Sequence, residues 1–134
     1  MLIDLVTEIG NELKMQEFIT NPAEGHYKVT FKNDTFIMMI DYSDRYILKG
    51  NIGPLPKEKT DAILTRIMDA NLFGKGVNGG VIGMENDGIQ LCMTFTLPIG
   101  VNYKMFKEKL TILINSIAAW RKILESSAPE IAKK

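Results

Sequence analysis

Between Ile89 and Pro98 the chain alternates strictly: Ile89, Leu91, Met93, Phe95 and Leu97 are apolar, and Gln90, Cys92, Thr94 and Thr96 stand between them. Successive side chains on a strand point to opposite faces, so this period of two sets one face on a core. Such a strand needs neighbours for its hydrogen bonds and a layer over its apolar side. Both are written nearby. Asn86-Asp87-Gly88 is a tight-turn signal that folds the strand back on Val81-Ile82-Gly83-Met84. Asn102, a good N-cap residue, opens a helix that reaches about Ser127, ahead of Pro129. Along it Tyr103, Phe106, Leu110, Leu113, Ile117, Trp120 and Leu124 step by three and four, and Ile112, Ile114 and Ile123 widen the apolar surface.

The first half of the chain repeats this logic. Leu5, Val6, Ile9 and Leu13 recur at helical spacing from Leu2, giving an amphipathic helix that Asn21-Pro22 ends. Gly10 costs such a helix about 1 kcal/mol relative to alanine, so tertiary or partner contacts must support it. Three strands follow, Gly25 to Lys32, Thr35 to Tyr42 and Arg45 to Ile52, separated by Asn33-Asp34 and Ser43-Asp44. Gly53-Pro54-Leu55-Pro56 breaks the sheet, and Ile63, Leu64, Ile67, Met68 and Leu72 form the stripe of a second helix that Gly74 stops. The expected fold is α+β: one domain over residues 1–134, a twisted antiparallel sheet with three helices in the order α-β-β-β-α-β-β-α.

The middle strand of the early sheet is unusual in being apolar on both sides. In the first strand Tyr27, Val29 and Phe31 alternate with Lys28, Thr30 and Lys32, which makes one side buried and one wet. Matching Phe36, Met38 and Ile40 to the buried side leaves Ile37 and Met39, with Ile47 on the next strand, as an apolar patch on the other. Either a helix of the same subunit covers that patch or a partner does.

Composition narrows the function. A domain of 134 residues, 46% hydrophobic and 24% charged, can bury one core without staples. Sixteen basic residues balance sixteen acidic ones, and the short cluster Lys104, Lys107, Lys109 reads as a solvated helix face, so nucleic acid is not an expected partner. The single cysteine and a start lacking a basic n-region point to the cytoplasm, and no apolar run approaches the roughly 18 residues of a membrane span.

No catalytic set assembles. Gly74-Lys75-Gly76-Val77-Asn78-Gly79 matches G-x-G-x-x-G but follows a helix and enters a strand, the reverse of a dinucleotide-binding turn, so it reads as a connector. His26 and Cys92 are the only residues of their types, Cys92 fits a packed strand position, and no metal or cofactor is expected. Glu85 and Asp87 flank a turn and read as solvated.

Ala70-Asn71-Leu72-Phe73, the glycine-rich loop to Gly80, the hairpin from Val81 to Ile89, a strand ending Leu97-Pro98, and Ala118-Ala119-Trp120-Arg121-Lys122 on the last helix together resemble the class I type III secretion chaperones, the CesT/Tir-chaperone family. The resemblance implies a non-catalytic cytoplasmic protein that binds the N-terminal region of a secreted effector and keeps it export-competent, as a homodimer or a heterodimer with a related chaperone. It implies dimer contacts at Ile63, Ile67, Leu72 and Phe73, and effector contacts at Leu2, Leu5, Ile9, Ile37, Met39 and Ile47. A regulatory or ligand-binding domain of the same fold is the alternative.

Overall fold

The computed structural model describes residues 2–13, 19–23, 25–31, 35–58, 60–73 and 80–127. Helix α1 is Leu2–Glu12, followed by strands β1 (Ile19–Ala23), β2 (His26–Thr30), β3 (Phe36–Asp41) and β4 (Arg45–Pro54). Helix α2 (Thr60–Phe73), strands β5 (Val81–Met84) and β6 (Gln90–Pro98), and helix α3 (Tyr103–Ser127) complete it. The strands form one antiparallel sheet in the order β1-β2-β3-β4-β6-β5. The α+β arrangement is the expected one, with one strand more. Asn21 and Pro22, expected to end the first helix, lie instead in β1 at the sheet edge, where a residue without an N–H is tolerated. Residues 32–34, with the expected Asn33-Asp34 turn, and the glycine-rich connector 74–79 fall outside the described residues.

The helices gather on one face of the sheet. α3 lies over β4 and β6, α1 packs on α3 and β3, and α2 packs against β5. Between them sit Leu2, Val6 and Ile9 of α1, Ile63 and Ile67 of α2, and Phe106, Leu110, Leu113, Ile117 and Trp120 of α3, in one cluster with Val29, Leu48, Met93, Phe95 and Leu97 of the sheet. The alternation in β6 is thus realised from Leu91 to Leu97, while Ile89, expected on the same buried face, lies before the strand in the turn and is exposed; Cys92, on the opposite parity, is also enclosed. α3 approaches β4 closely at Gly50, where a Cβ would stand 2.2 Å from Ile117 Cδ1 and 2.9 Å from Ile37 Cδ1. Asn102 caps α3 as expected, its Oδ1 accepting from the Met105 N–H at 2.8 Å.

Two polar contacts fix the outer elements. Glu12, at the end of α1, accepts a hydrogen bond from Tyr103 Oη at 2.6 Å and an ion pair from Lys107 at 2.8 Å, tying α1 to α3. At the β5 edge, Asn71 of α2 bonds the main chain of Ile82.

The register between β2 and β3 corrects the expected exposed patch. Val29 pairs with Ile37, Tyr27 with Met39, and Lys28 with Met38. Directly opposite residues share a face, so Ile37 and Met39 join Val29 under the helices, both 0% exposed. Phe36, Met38 and Ile40 take the other side. A one-residue slip in register flips every side chain, and with both faces of β3 apolar the residue pattern could not choose between the two.

Candidate functional site

The face of the sheet turned away from the helices carries an apolar strip on β3 and β4. Ile40 stands beside Ile47, and Met38 is set between Lys28 on β2 and Lys49 on β4. Phe36 is 37% exposed; Met38, Ile40 and Ile47 are half-buried. His26, Phe36, Met38, Ile40, Lys49, Asn51 and Glu85 enclose a groove of about 440 Å³. One wall is stiffened by Lys28, whose ammonium lies 4.3 Å from the centre of the Phe36 ring.

The other end of the groove is polar. Lys49 and Glu85 form an ion pair at 2.6 Å, each about one-third exposed. The hydrogen bond to Glu85 pushes the Lys49 ammonium above its ordinary range. Cys92 lies alongside with its thiol 3.7 Å from the Gly83 carbonyl, and burial, then the Glu85 charge, push its pKa up, which keeps it a thiol. Asn51 donates to Gln90 Oε1 at 3.2 Å. Glu85 is therefore engaged, contrary to the expectation of a solvated turn residue, while Asp87 is exposed and accepts the Ile89 and Gln90 N–H groups at 2.8 and 3.0 Å. Those bonds hold its carboxyl below the usual range.

The residues expected to bind an effector are dispersed. Leu2 and Ile9 are core residues of α1, as Ile37 and Met39 are of β3, because the helices claim that side of the sheet. Leu5 is half-buried against the core. Ile47 alone of the six belongs to the open strip. The sequence pattern assigns Phe36, Met38 and Ile40 to the core, reads Glu85 as a solvated turn residue and does not single out Lys49; Lys28 and Thr30, the wet side of β2, are the signal for the open face once the register is known.

The expected dimer contacts divide likewise. Ile63 and Ile67 are buried within the subunit, which covers that part of the α2 stripe. Leu72 is 75% exposed, as is Met68 at 70%, and Val81 and Met84 on β5 are exposed too. The Phe73 side chain lies outside the described residues.

The arrangement contains no dyad of its histidine and cysteine. His26 on β2 and Cys92 on β6 are separated by β3 and β4, three strand spacings or roughly 14 Å. Among the described residues no three His, Cys, Asp or Glu side chains converge as a metal site, and no helix is long and apolar enough to cross a membrane.

No curated protein is detectably similar in sequence. The fold is shared with solved structures at low identity. The ExsC–ExsE complex matches with a TM-score of 0.74 at 12% identity, covering 90% of this chain and 91% of that chain. The heterodimeric ExoU–SpcU complex from the type III secretion system of Pseudomonas aeruginosa gives 0.71 at 10% identity, covering 94% and 99%. The Yersinia pestis type III secretion chaperone SycH, in complex with a stable fragment of YscM2, gives 0.65 at 22% identity, covering 87% and 96%. The Tir chaperone protein (CesT) family model matches residues 4–121, nearly the whole chain. The chain belongs to the Tir chaperone protein (CesT) family.

Proposed function

We propose that this chain is a cytoplasmic, non-catalytic type III secretion chaperone that holds an extended, apolar segment near the N-terminus of a secreted effector and keeps it export-competent. The observation that carries the reading is the open face: an apolar strip of Phe36, Met38, Ile40 and Ile47, the first three lining a groove of about 440 Å³, on the side of the sheet away from the helices. Apolar side chains of the segment enter the groove, and Lys28, Lys49 and Glu85 supply its polar rim. Each apolar side chain seated there removes surface from water at roughly 25 cal/mol per Å². The binding mode asks only for burial and hydrogen bonding, which suits a site without a nucleophile and base in reach.

Two copies associate in this reading through Met68 and Leu72 of α2, both exposed, near the edge strand β5 against which α2 packs. Purification of the tagged chain from its native cytoplasm tests the function. It should return one or a few proteins that also occur in the secreted fraction, in a fixed ratio to the dimer; recovery of the chain alone from secreting cells contradicts the reading.

A further inference from the structure

At the far end of α3 a second cavity of about 480 Å³ opens, and it shares no lining residue with the open-face groove. Its walls come from three separate elements: Ile52 at the end of β4 with Leu55 just beyond, Ile89 at the tip of the β5–β6 hairpin, and Leu124 of α3. The walls are tied together. The Leu55 N–H donates to the Ile89 carbonyl at 2.7 Å, which joins the loop after β4 to the hairpin.

The Arg121 side chain lines this apolar pocket. Its Nε donates to Ile52 O at 3.1 Å, Nη2 to Asn51 O at 2.8 Å and Nη1 to Thr35 Oγ1 at 2.9 Å. All three acceptors are neutral. Glu125, one turn further along α3 and exposed on the same rim, makes no ion pair with Arg121. Lys57 adds a second positive charge at the mouth. Among the described residues no carboxylate pairs with the guanidinium. A half-buried cation among apolar walls attracts an anion more strongly than one in water does. The guest that satisfies both features has a hydrocarbon side chain next to a carboxylate.

We propose that this pocket is a second docking site, for a peptide segment in which an apolar residue stands next to an Asp or Glu; resting on the reading of the chain as an effector chaperone, it takes that segment from the same secreted partner. The open face then holds one stretch of the partner and the α3 pocket another. This gives the complex two anchors whose combined hold exceeds either.

Titration of the full ¹⁵N-labelled chain with acetyl-Leu-Asp-Leu-amide and with acetyl-Leu-Asn-Leu-amide tests the site. The aspartyl peptide should shift the Arg121 Nε–H and the Ile52 and Ile89 amides, and the asparaginyl peptide should bind about tenfold more weakly, the scale of one charge-assisted hydrogen bond. Ile89→Asp sets an anion on an exposed hairpin tip at the pocket mouth, where folding does not depend on the side chain, and should weaken the aspartyl peptide by at least about tenfold. Equal binding of the two peptides, persistence of the shifts in Ile89→Asp, or no shift at Arg121 each overturns the proposal. The amides of Met38 and Ile47 report the open face separately. Their response to a co-purified effector with Arg121 silent sinks the second site alone; their silence with that effector sinks the functional reading.

Discussion

Asn71 pairs with both main-chain groups of Ile82: its Nδ2 donates to the Ile82 carbonyl at 2.9 Å and its Oδ1 accepts from the Ile82 N–H at 2.9 Å. One side-chain amide of α2 thus stands in for a residue of a neighbouring strand at the β5 edge. Unpaired edge groups invite another strand to add, and this contact closes the middle of that edge. The apolar side chains beside it, Val81 and Met84, remain available for packing without sheet extension.

Asn71→Ala should therefore cost about 1–2 kcal/mol, the scale of a lost pair of partly exposed hydrogen bonds. Hydrogen exchange at the Ile82 amide should accelerate with it, and concentrated samples should form species larger than the dimer. An Ile82 amide that exchanges at the original rate in the variant contradicts the edge-closing role.

Gly50 is a second position where one atom decides packing. Because a Cβ there would overlap Ile117 Cδ1, Gly50→Ala should destabilise the protein by about 1–3 kcal/mol, the usual cost of overpacking a core. Ile117→Val removes that δ-methyl and should make the alanine substitution cheaper. Urea unfolding of the two single variants and the double variant measures the coupling; additive losses contradict a direct clash.

The α1–α3 clasp makes a pH prediction. The Lys107 interaction, then the Tyr103 hydrogen bond, holds the Glu12 carboxyl below its ordinary value. A carboxyl with a depressed folded pKa contributes stability above its unfolded value, about 4.3, and loses it as pH falls through the folded value. Glu12→Gln should therefore lower the urea midpoint at pH 7 and show a smaller further loss on acidification to the pH 3–4 range than the parent does. Parallel acid profiles contradict the assignment. Burial and the Glu12 hydrogen bond push the Tyr103 hydroxyl upward, so the clasp keeps its phenol proton throughout this range.

On the proposed dimer reading, variants of α2 separate the subunit contact from the core. Met68 and Leu72 are exposed in the subunit and Ile67 is buried, so replacing Met68 and Leu72 together with Lys should give a folded monomer by light scattering. Ile67→Asp should unfold the subunit, because it places an unpaired charge in the core. A Met68/Leu72 variant that stays dimeric at micromolar concentration moves the interface elsewhere.

Much of this architecture was legible in the residues, and the limits are physical. The period-two run of β6 and the three-four stepping of α3 are strong because each buries one face only, and both elements stand where the sequence reading set them. β1 was hidden because Ile19–Ala23 is short and contains a proline. The candidate site was inverted for a different reason. β3 is apolar on both faces, so its orientation depends on the pairing of Lys28 with Met38, a tertiary fact that alternation in one strand does not encode. In α2, one apolar stripe spans both buried and exposed positions. Only three-dimensional packing divides Ile63 and Ile67 from Met68 and Leu72.

The central claim is that the open face, and not the helix-covered face, holds the partner. Met38 and Ile47 are half-buried on that face, and changing both to Asp leaves the core beneath Ile37 and Met39 untouched. Isothermal titration of the co-purified effector segment into the Met38→Asp/Ile47→Asp double variant measures this most directly. The account predicts at least about a hundredfold loss of affinity, the scale of placing charge in an apolar contact, with dimer mass unchanged and melting temperature nearly so. Undiminished binding by the folded double variant would contradict it.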